Sequence, residues 1–193
     1  MNRRRLSLLA FLACFAVTAS ASPQAQAQAP DAGPYVPTPQ SIVDAMLAMG
    51  KVGANDYVID LGSGDGRIVR TAARRLGASG IGVDIDERLV KMANDEAARE
   101  GITQRVRFVN ADLWNFDTSG ATVVTVYLLP SIMPRLKEKL LAELKPGTRI
   151  VVHDYPMPDW KHEDYQALRE PLKVQAHGLD TAYLYLYVVP PKK

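Results

Sequence analysis

A chain of 193 residues holds one domain and not comfortably two, and a hydrophobic fraction of 47% supplies that domain with a core. The net charge of +2 rests on Arg3, Arg4 and Arg5; without those three it is −1, so no nucleic-acid partner is expected on electrostatic grounds. The only cysteine, Cys14, falls in the same N-terminal stretch, and the chain beyond it forms no disulfide.

Residues 1–21 carry the pattern of an export signal. The three arginines form a charged head, residues 6–17 an apolar run broken only by Ser7, and Ala19-Ser20-Ala21 the small residues that a signal peptidase requires. A run of twelve residues is too short to span a bilayer comfortably. Cleavage and release into the periplasm or the medium are therefore expected, with an uncleaved membrane anchor as the alternative. Residues 22–34 are Ala, Gln, Ser, Pro and Gly with one Asp, and form a flexible leader. The folded domain is expected over residues 35–193, as a monomer.

Helical and strand patterns alternate along that domain. Thr38-Pro39 opens a short helix through Met49, with the proline tolerated in the first turn and Gly50 or Gly53 beyond its end. Strands are predicted at 57–61, 80–84, 106–109, 121–128 and 149–153, and helices at 67–76, 87–100 and 133–144. Residues 172–176 and 182–189 read as a closing hairpin around Gly178, which leaves residues 155–171 for a loop and one short helix. The unbroken apolar runs at 57–61 and 149–152 belong to strands covered on both faces. The predicted class is α/β: a Rossmann-like, seven-stranded, mostly parallel sheet with helices on both faces and a C-terminal antiparallel hairpin. Tyr183, Tyr185 and Tyr187 alternate with Leu184, Leu186 and Val188 at strand periodicity, as sheet packing.

The chemistry-bearing segment is Asp60-Leu61-Gly62-Ser63-Gly64-Asp65-Gly66-Arg67, between a predicted strand and a predicted helix. Gly62, Gly64 and Gly66 permit a tight turn and a close backbone approach to a ligand. The carboxylates of Asp60 and Asp65 would repel a pyrophosphate and instead suit a cationic amino-acid moiety. Asp84 ends the second strand 22 residues after Gly62, where a carboxylate can accept from both hydroxyls of a ribose. Asp112 follows the third strand and can accept from an adenine amino group, with Leu113 or Trp114 over the ring. All of these positions fall at the C-terminal ends of neighbouring strands, where an open α/β sheet forms its crevice.

With these residues the chain resembles the seven-stranded S-adenosylmethionine-dependent methyltransferases, over residues 35–189. The resemblance implies that the loop from Asp60 through Ser63 to Gly66 cradles the methionine part of the cofactor, that Asp84 holds the ribose and that Asp112 addresses the adenine. Tyr35-Val36-Pro37-Thr38, the glycine loop continued through Ile68-Val69, and Asp112-Leu113-Trp114 further resemble a family of small protein-lysine methyltransferases. Mitochondrial members of that family modify a nucleotide carrier and the c-subunit of ATP synthase. This closer resemblance implies that the segment from Tyr35 to Thr38 closes over the cofactor and that the acceptor is a protein lysine.

Methyl transfer requires alignment of an activated methyl group with a nucleophile, and no metal. An amine acceptor must also lose its proton. The amide-acceptor signature, Asn or Asp followed by two prolines and an aromatic, is replaced after the fourth strand by Val126-Tyr127-Leu128-Leu129-Pro130. That argues against the DNA-adenine and glutamine methylating subclasses. Tyr127 is a candidate for the methyl channel, and His153 or Asp154, at the end of the fifth strand, for the base; packing roles are the alternatives. His162, Glu163 and Asp164 lack ordered metal-ligand spacing. A dehydrogenase is disfavoured by Asp65 and by the absence of length for a catalytic domain. A domain outside the cytoplasm lacks an obvious supply of the cofactor, so a non-catalytic nucleoside-binding or interaction domain stands as the alternative to an enzyme.

Overall fold

The computed structural model describes residues 35–174 and 178–192. The expected export signal and leader lie outside the described residues, as do residues 175–177 within the expected hairpin.

Five strands run parallel: β1 (Tyr57–Leu61), β2 (Ser79–Asp84), β3 (Val106–Asn110), β4 (Val123–Val126) and β5 (Arg149–His153). The edge strand β6 (Asp164–Arg169) and β7 (Thr181–Val188) complete a seven-stranded sheet of order β3-β2-β1-β4-β5-β7-β6. β7 is antiparallel to both of its neighbours. Among the described residues, the helices α1 (Gln40–Met49), α2 (Arg67–Leu76), α3 (Glu87–Arg99) and α4 (Met133–Glu143) flank the sheet.

The unbroken apolar strands serve two cores at once, because successive side chains point to opposite faces. Val58, Val123, Val151 and Leu184 face Val43, Met46, Val69, Ala72 and Ala93 of α1, α2 and α3. Ile59, Val124, Ile150, Val152 and Tyr187 face Leu136 and Leu140 of α4. Each fully buried Val, Leu or Ile contributes roughly 1.5–3 kcal/mol relative to exposure. The helix boundaries have local causes. Asp86 caps α3 by accepting from the Arg88 N–H at 2.9 Å, and Gly77 closes α2 in the left-handed region at φ 72°.

The sheet corrects the expected hairpin. The sixth strand is Asp164–Arg169, and only residues 154–163 connect it to β5, with no helix among them. Pro171–Lys173 is a 3₁₀ turn whose start is capped by Glu170, which accepts from the Leu172 N–H at 3.1 Å. Leu172 and Val174, in the strand expected over residues 172–176, are exposed at 71% and 47%. β6 escapes a hydrophobicity search because it is an edge strand with mostly exposed side chains, whose ladder bonds come from backbone groups that any sequence has.

The strand order reverses between β1 and β4, since β2 and β3 lie on one side of β1 and β4 and β5 on the other. A crevice forms outside the carboxyl ends of the strands at such a switch point. Asp60 of β1 and Thr125 of β4 are register partners there.

Candidate active site

Glycine geometry shapes the loop after β1. Gly62 and Ser63 donate to the Val83 carbonyl at 2.9 and 3.0 Å, which folds the loop against the end of β2. Gly64 has φ 54°, and a Cβ there would stand 2.4 Å from the Tyr35 ring, so the aromatic ring lies directly on the loop backbone. The Ser63 side chain is buried and points inward, its Oγ 2.6 Å from where a Cβ on Gly82 would be. Gly66, at φ 76°, precedes the first residue of α2.

Asp60, Asp65 and Asp84 meet at this loop, and Asp112 follows β3 at the same end of the sheet; each is held differently. Asp60 is 2% exposed and accepts from Thr125 Oγ1 at 2.6 Å. Burial pushes its carboxyl up to about 7 against the opposing hydrogen bond from Thr125, and the charges of Asp84 and Asp65 add to the rise. Asp84 accepts from the Gly64 N–H at 2.7 Å through one oxygen and from the Asp86 N–H at 2.9 Å through the other. Asp112 accepts from the Trp114 N–H at 2.9 Å, and Leu113 and Trp114 pack partly buried against the α4-side core. Asp65 is paired with Arg67, whose Nη2 lies 2.7 Å from Oδ2. Its carboxyl sits low because the hydrogen bonds and charge of Arg67 outweigh a large desolvation.

Arg67 ties the N-terminal strap to the loop. Its Nη1 donates to the Thr38 carbonyl at 2.8 Å, while Tyr35 hydrogen-bonds to both Asp65 and Arg67. The segment from Tyr35 to Thr38 is thereby fixed across the glycine turn, with Thr38 buried ahead of α1.

Tyr127, His153 and Asp154 assemble beside it, at the ends of β4 and β5. The Tyr127 and His153 rings are 4.0 Å apart between centroids, and Tyr155 stacks on Tyr127 at 6.4 Å. His153 is 1% exposed, with Nε2 3.6 Å from Asp154 Oδ2. Burial raises the Tyr127 hydroxyl well above the usual phenol range, and the hydrogen-bonded Asp154 carboxylate adds to the rise, so the phenol stays neutral. Asp154 adopts φ 66°, a left-handed conformation that Asp tolerates better than most residues. Val36, Pro37, Pro39, Leu172 and Lys173 complete a small pocket around Tyr127 and His153.

Lys173 carries no sequence signal of its own. Its ammonium donates to Asp154 Oδ1 at 2.6 Å and to the Thr181 carbonyl at 2.5 Å, and the paired side chains are only 7% and 6% exposed. Nothing in the spacing of residues 154 and 173 announces the contact, which depends on β7 running between them. Thr125 was legible in principle as the one hydroxyl in the otherwise all-valine β4. Removing one partner of a buried ion pair costs about 3–5 kcal/mol. Lys173→Met is accordingly expected to lower the thermal midpoint by several degrees, with Lys173→Met/Asp154→Asn recovering most of the loss in a melting experiment.

Among the described residues no cluster of His, Cys, Asp and Glu is arranged to hold a metal, and no helix is long and apolar enough to cross a membrane.

Residues 60–164 match the model of the ANTKMT methyltransferase domain. A protein-lysine N-methyltransferase of Saccharolobus islandicus (strain REY15A) is 39% identical over 161 residues, covering 83% of this chain and 96% of that protein. The chain belongs to the ANTKMT methyltransferase family. An adenine nucleotide translocase lysine N-methyltransferase of Mus musculus is 33% identical over 152 residues, 79% of this chain but 62% of that longer protein. A crystal structure described as an RNA methyltransferase from Salinibacter ruber, with S-adenosylhomocysteine bound, superposes with a TM-score of 0.75 at 41% identity, covering 82% of this chain and 96% of that one. The ANTKMT-family chain is an S-adenosylmethionine-dependent methyltransferase with the Rossmann-like methyltransferase fold. Its site fits that cofactor on chemical grounds. A buried carboxyl, Asp60, lies near enough to Asp84 and Asp65 for their charges to act on it, and such a site favours a cationic ligand.

Proposed function

We propose that the chain methylates the side-chain amine of lysine in a polypeptide. S-adenosylmethionine supplies an activated methyl group on a sulfonium. In this reading Asp60 receives the cofactor's ammonium group, Asp84 its ribose hydroxyls, and Asp112 its adenine amino group beside Leu113 and Trp114. Tyr35 and Thr38 cover the loop of Gly62, Ser63, Gly64 and Gly66, and Asp65 acts through Arg67 to hold that cover down. The neutral Tyr127 phenol and the Asp154 carboxylate orient the acceptor amine, and His153 with Asp154 takes the proton that the amine must lose.

The observation that supports the lysine reading most is the 39% identity to a protein-lysine methyltransferase across nearly the whole of that protein. The relative described as an RNA methyltransferase supplies the competing acceptor. Incubation with methyl-labelled S-adenosylmethionine, a lysine-containing polypeptide and total RNA decides between them. Methyl-lysine found by mass spectrometry is the expected result, and label confined to RNA would overturn the reading.

We further infer that the chain is exported through residues 1–21 and retains proximity to a membrane only if that signal stays uncleaved. Its support is the arginine head, apolar run and Ala19-Ser20-Ala21 of the sequence. N-terminal sequencing of the chain recovered from its host is expected to begin at Ser22.

A further inference from the structure

The ten residues 154–163 between β5 and β6 include no helix, and among the described residues no helix covers the crevice end of β7 or β6 on the α4 side of the sheet. Trp160 covers Tyr187 lower down, with ring centroids 5.1 Å apart. Beyond it lies a floor of aromatic rings. Tyr165 packs on Tyr185 at 5.3 Å and stacks on Tyr183 at 6.2 Å, and His162 meets Tyr165 and Tyr185 at 5.9 and 5.5 Å. Tyr165 is left 43% exposed.

We propose that this floor docks the acceptor polypeptide: an extended, lysine-bearing stretch lies across Tyr165, Tyr185 and Tyr183 and delivers its target lysine to the pocket beside Tyr127. The proposal rests on the lysine reading above. Three features select this occupant. First, the floor is continuous with the crevice, because the Tyr183 N–H donates to Asp154 at 3.1 Å. Second, its inner end already accommodates an ammonium, that of Lys173, 5.8 Å from the centre of the Tyr183 ring, and aromatic faces attract cations. Third, the segment that leads into the floor's edge strand, residues 154–163, exposes Asp159 and Glu163 against one exposed cation, Lys161. Tyrosines also offer broad contact area at small conformational cost, as in other polypeptide-binding surfaces.

The test compares methyl transfer to poly-L-lysine and to a single-lysine amide, Nα-acetyl-lysine N-methylamide, by the full chain and by Tyr165→Ala and Tyr165→Phe. For the parent protein, KM per lysine is expected to be lower for poly-L-lysine than for the amide. Tyr165→Ala should raise KM for poly-L-lysine about fivefold, the loss of one cation–aromatic contact, with kcat kept. It should leave the amide's constants, the cofactor affinity and the thermal midpoint unchanged, and Tyr165→Phe should behave as the parent. Poly-L-lysine no better than the amide, or an unchanged KM in Tyr165→Ala, overturns the docking surface while the lysine reading stands. Sedimentation showing that Tyr165→Ala dissociates a dimer also overturns it and assigns the floor to a second copy. Absence of transfer to both probes by a cofactor-bound protein fails the lysine reading itself, and the docking proposal with it.

Discussion

Asp84→Ala is expected to weaken S-adenosylmethionine binding by about 100-fold or more, as measured by isothermal titration. Hydrogen bonds to a charged group contribute roughly 1.5–3 kcal/mol each, and two lost to a ribose diol amount to at least about 3 kcal/mol, or two decades in affinity. The same side chain holds the loop in shape, since its two oxygens accept from Gly64 and Asp86. Asp84→Asn is no refuge. Both carboxylate oxygens face backbone donors, so one end of an amide must turn its NH₂ toward an N–H, and the asparagine variant is expected to bind little better than the alanine one. Full affinity in either variant would remove Asp84 from the cofactor site.

Asp60→Asn is expected to do two opposite things. The folded protein holds the Asp60 carboxyl at about 7, above its ordinary value of 3.8, chiefly through burial. Between those two pH values the folded state retains a proton that the unfolded state has released, so stability falls as pH rises, by up to about 1.4 kcal/mol per unit. The contribution is fully favourable below the unfolded value and is lost as pH climbs through about 7. Above that it leaves a constant penalty of at most about 4 kcal/mol. Asparagine keeps the acceptor for Thr125 and removes the charge. The cofactor-free variant should therefore melt higher than the parent at pH 8, and the gap should narrow as pH falls, closing only below the unfolded value of 3.8. Cofactor affinity should fall by about tenfold or more, because the ligand's ammonium loses a carboxylate in a desolvated site. For the parent, affinity should strengthen as pH rises through 7 and the carboxyl ionises. A variant that melts lower than the parent at pH 8 would show that Asp60 stabilises the fold rather than the ligand. The pattern is that of a site where stability is given up for binding.

These effects converge on the switch point of the sheet. Asp60 and Thr125 are brought together by the pairing of β1 with β4, and the Asp84 carboxylate reaches the glycine loop because β2 pairs on the other side of β1. The strap from Tyr35 to Thr38 precedes α1 and is joined to the loop through Arg67, Asp65 and the Tyr35 ring. A substitution at Arg67 thus acts on the site's cover as well as on Asp65.

The sequence by itself determined the elements whose signals are local. The apolar runs of β1 and β5 mark strands buried on both faces, the Gly-rich turn marks the start of α2, and Asp60, Asp84 and Asp112 announce themselves by lying at or just past the crevice ends of strands. Each of these depends on residues within a few positions of one another. Tertiary structure alone decided the rest. β6 is held by backbone hydrogen bonds to β7 and buries little, so residues 164–169 carry no apolar alternation, whereas exposed Leu172 and Val174 imitated it. Lys173 meets Asp154 only because β7 brings residue 181 alongside residue 154 and a 3₁₀ turn carries the lysine back to them. The aromatic floor follows from a helix that the chain does not form, and its rings are spread over two strands that pair through space. Local sequence encodes which backbone shapes are cheap; which side chains share a site depends on contacts between segments far apart in the chain, and those exist only once the sheet has formed.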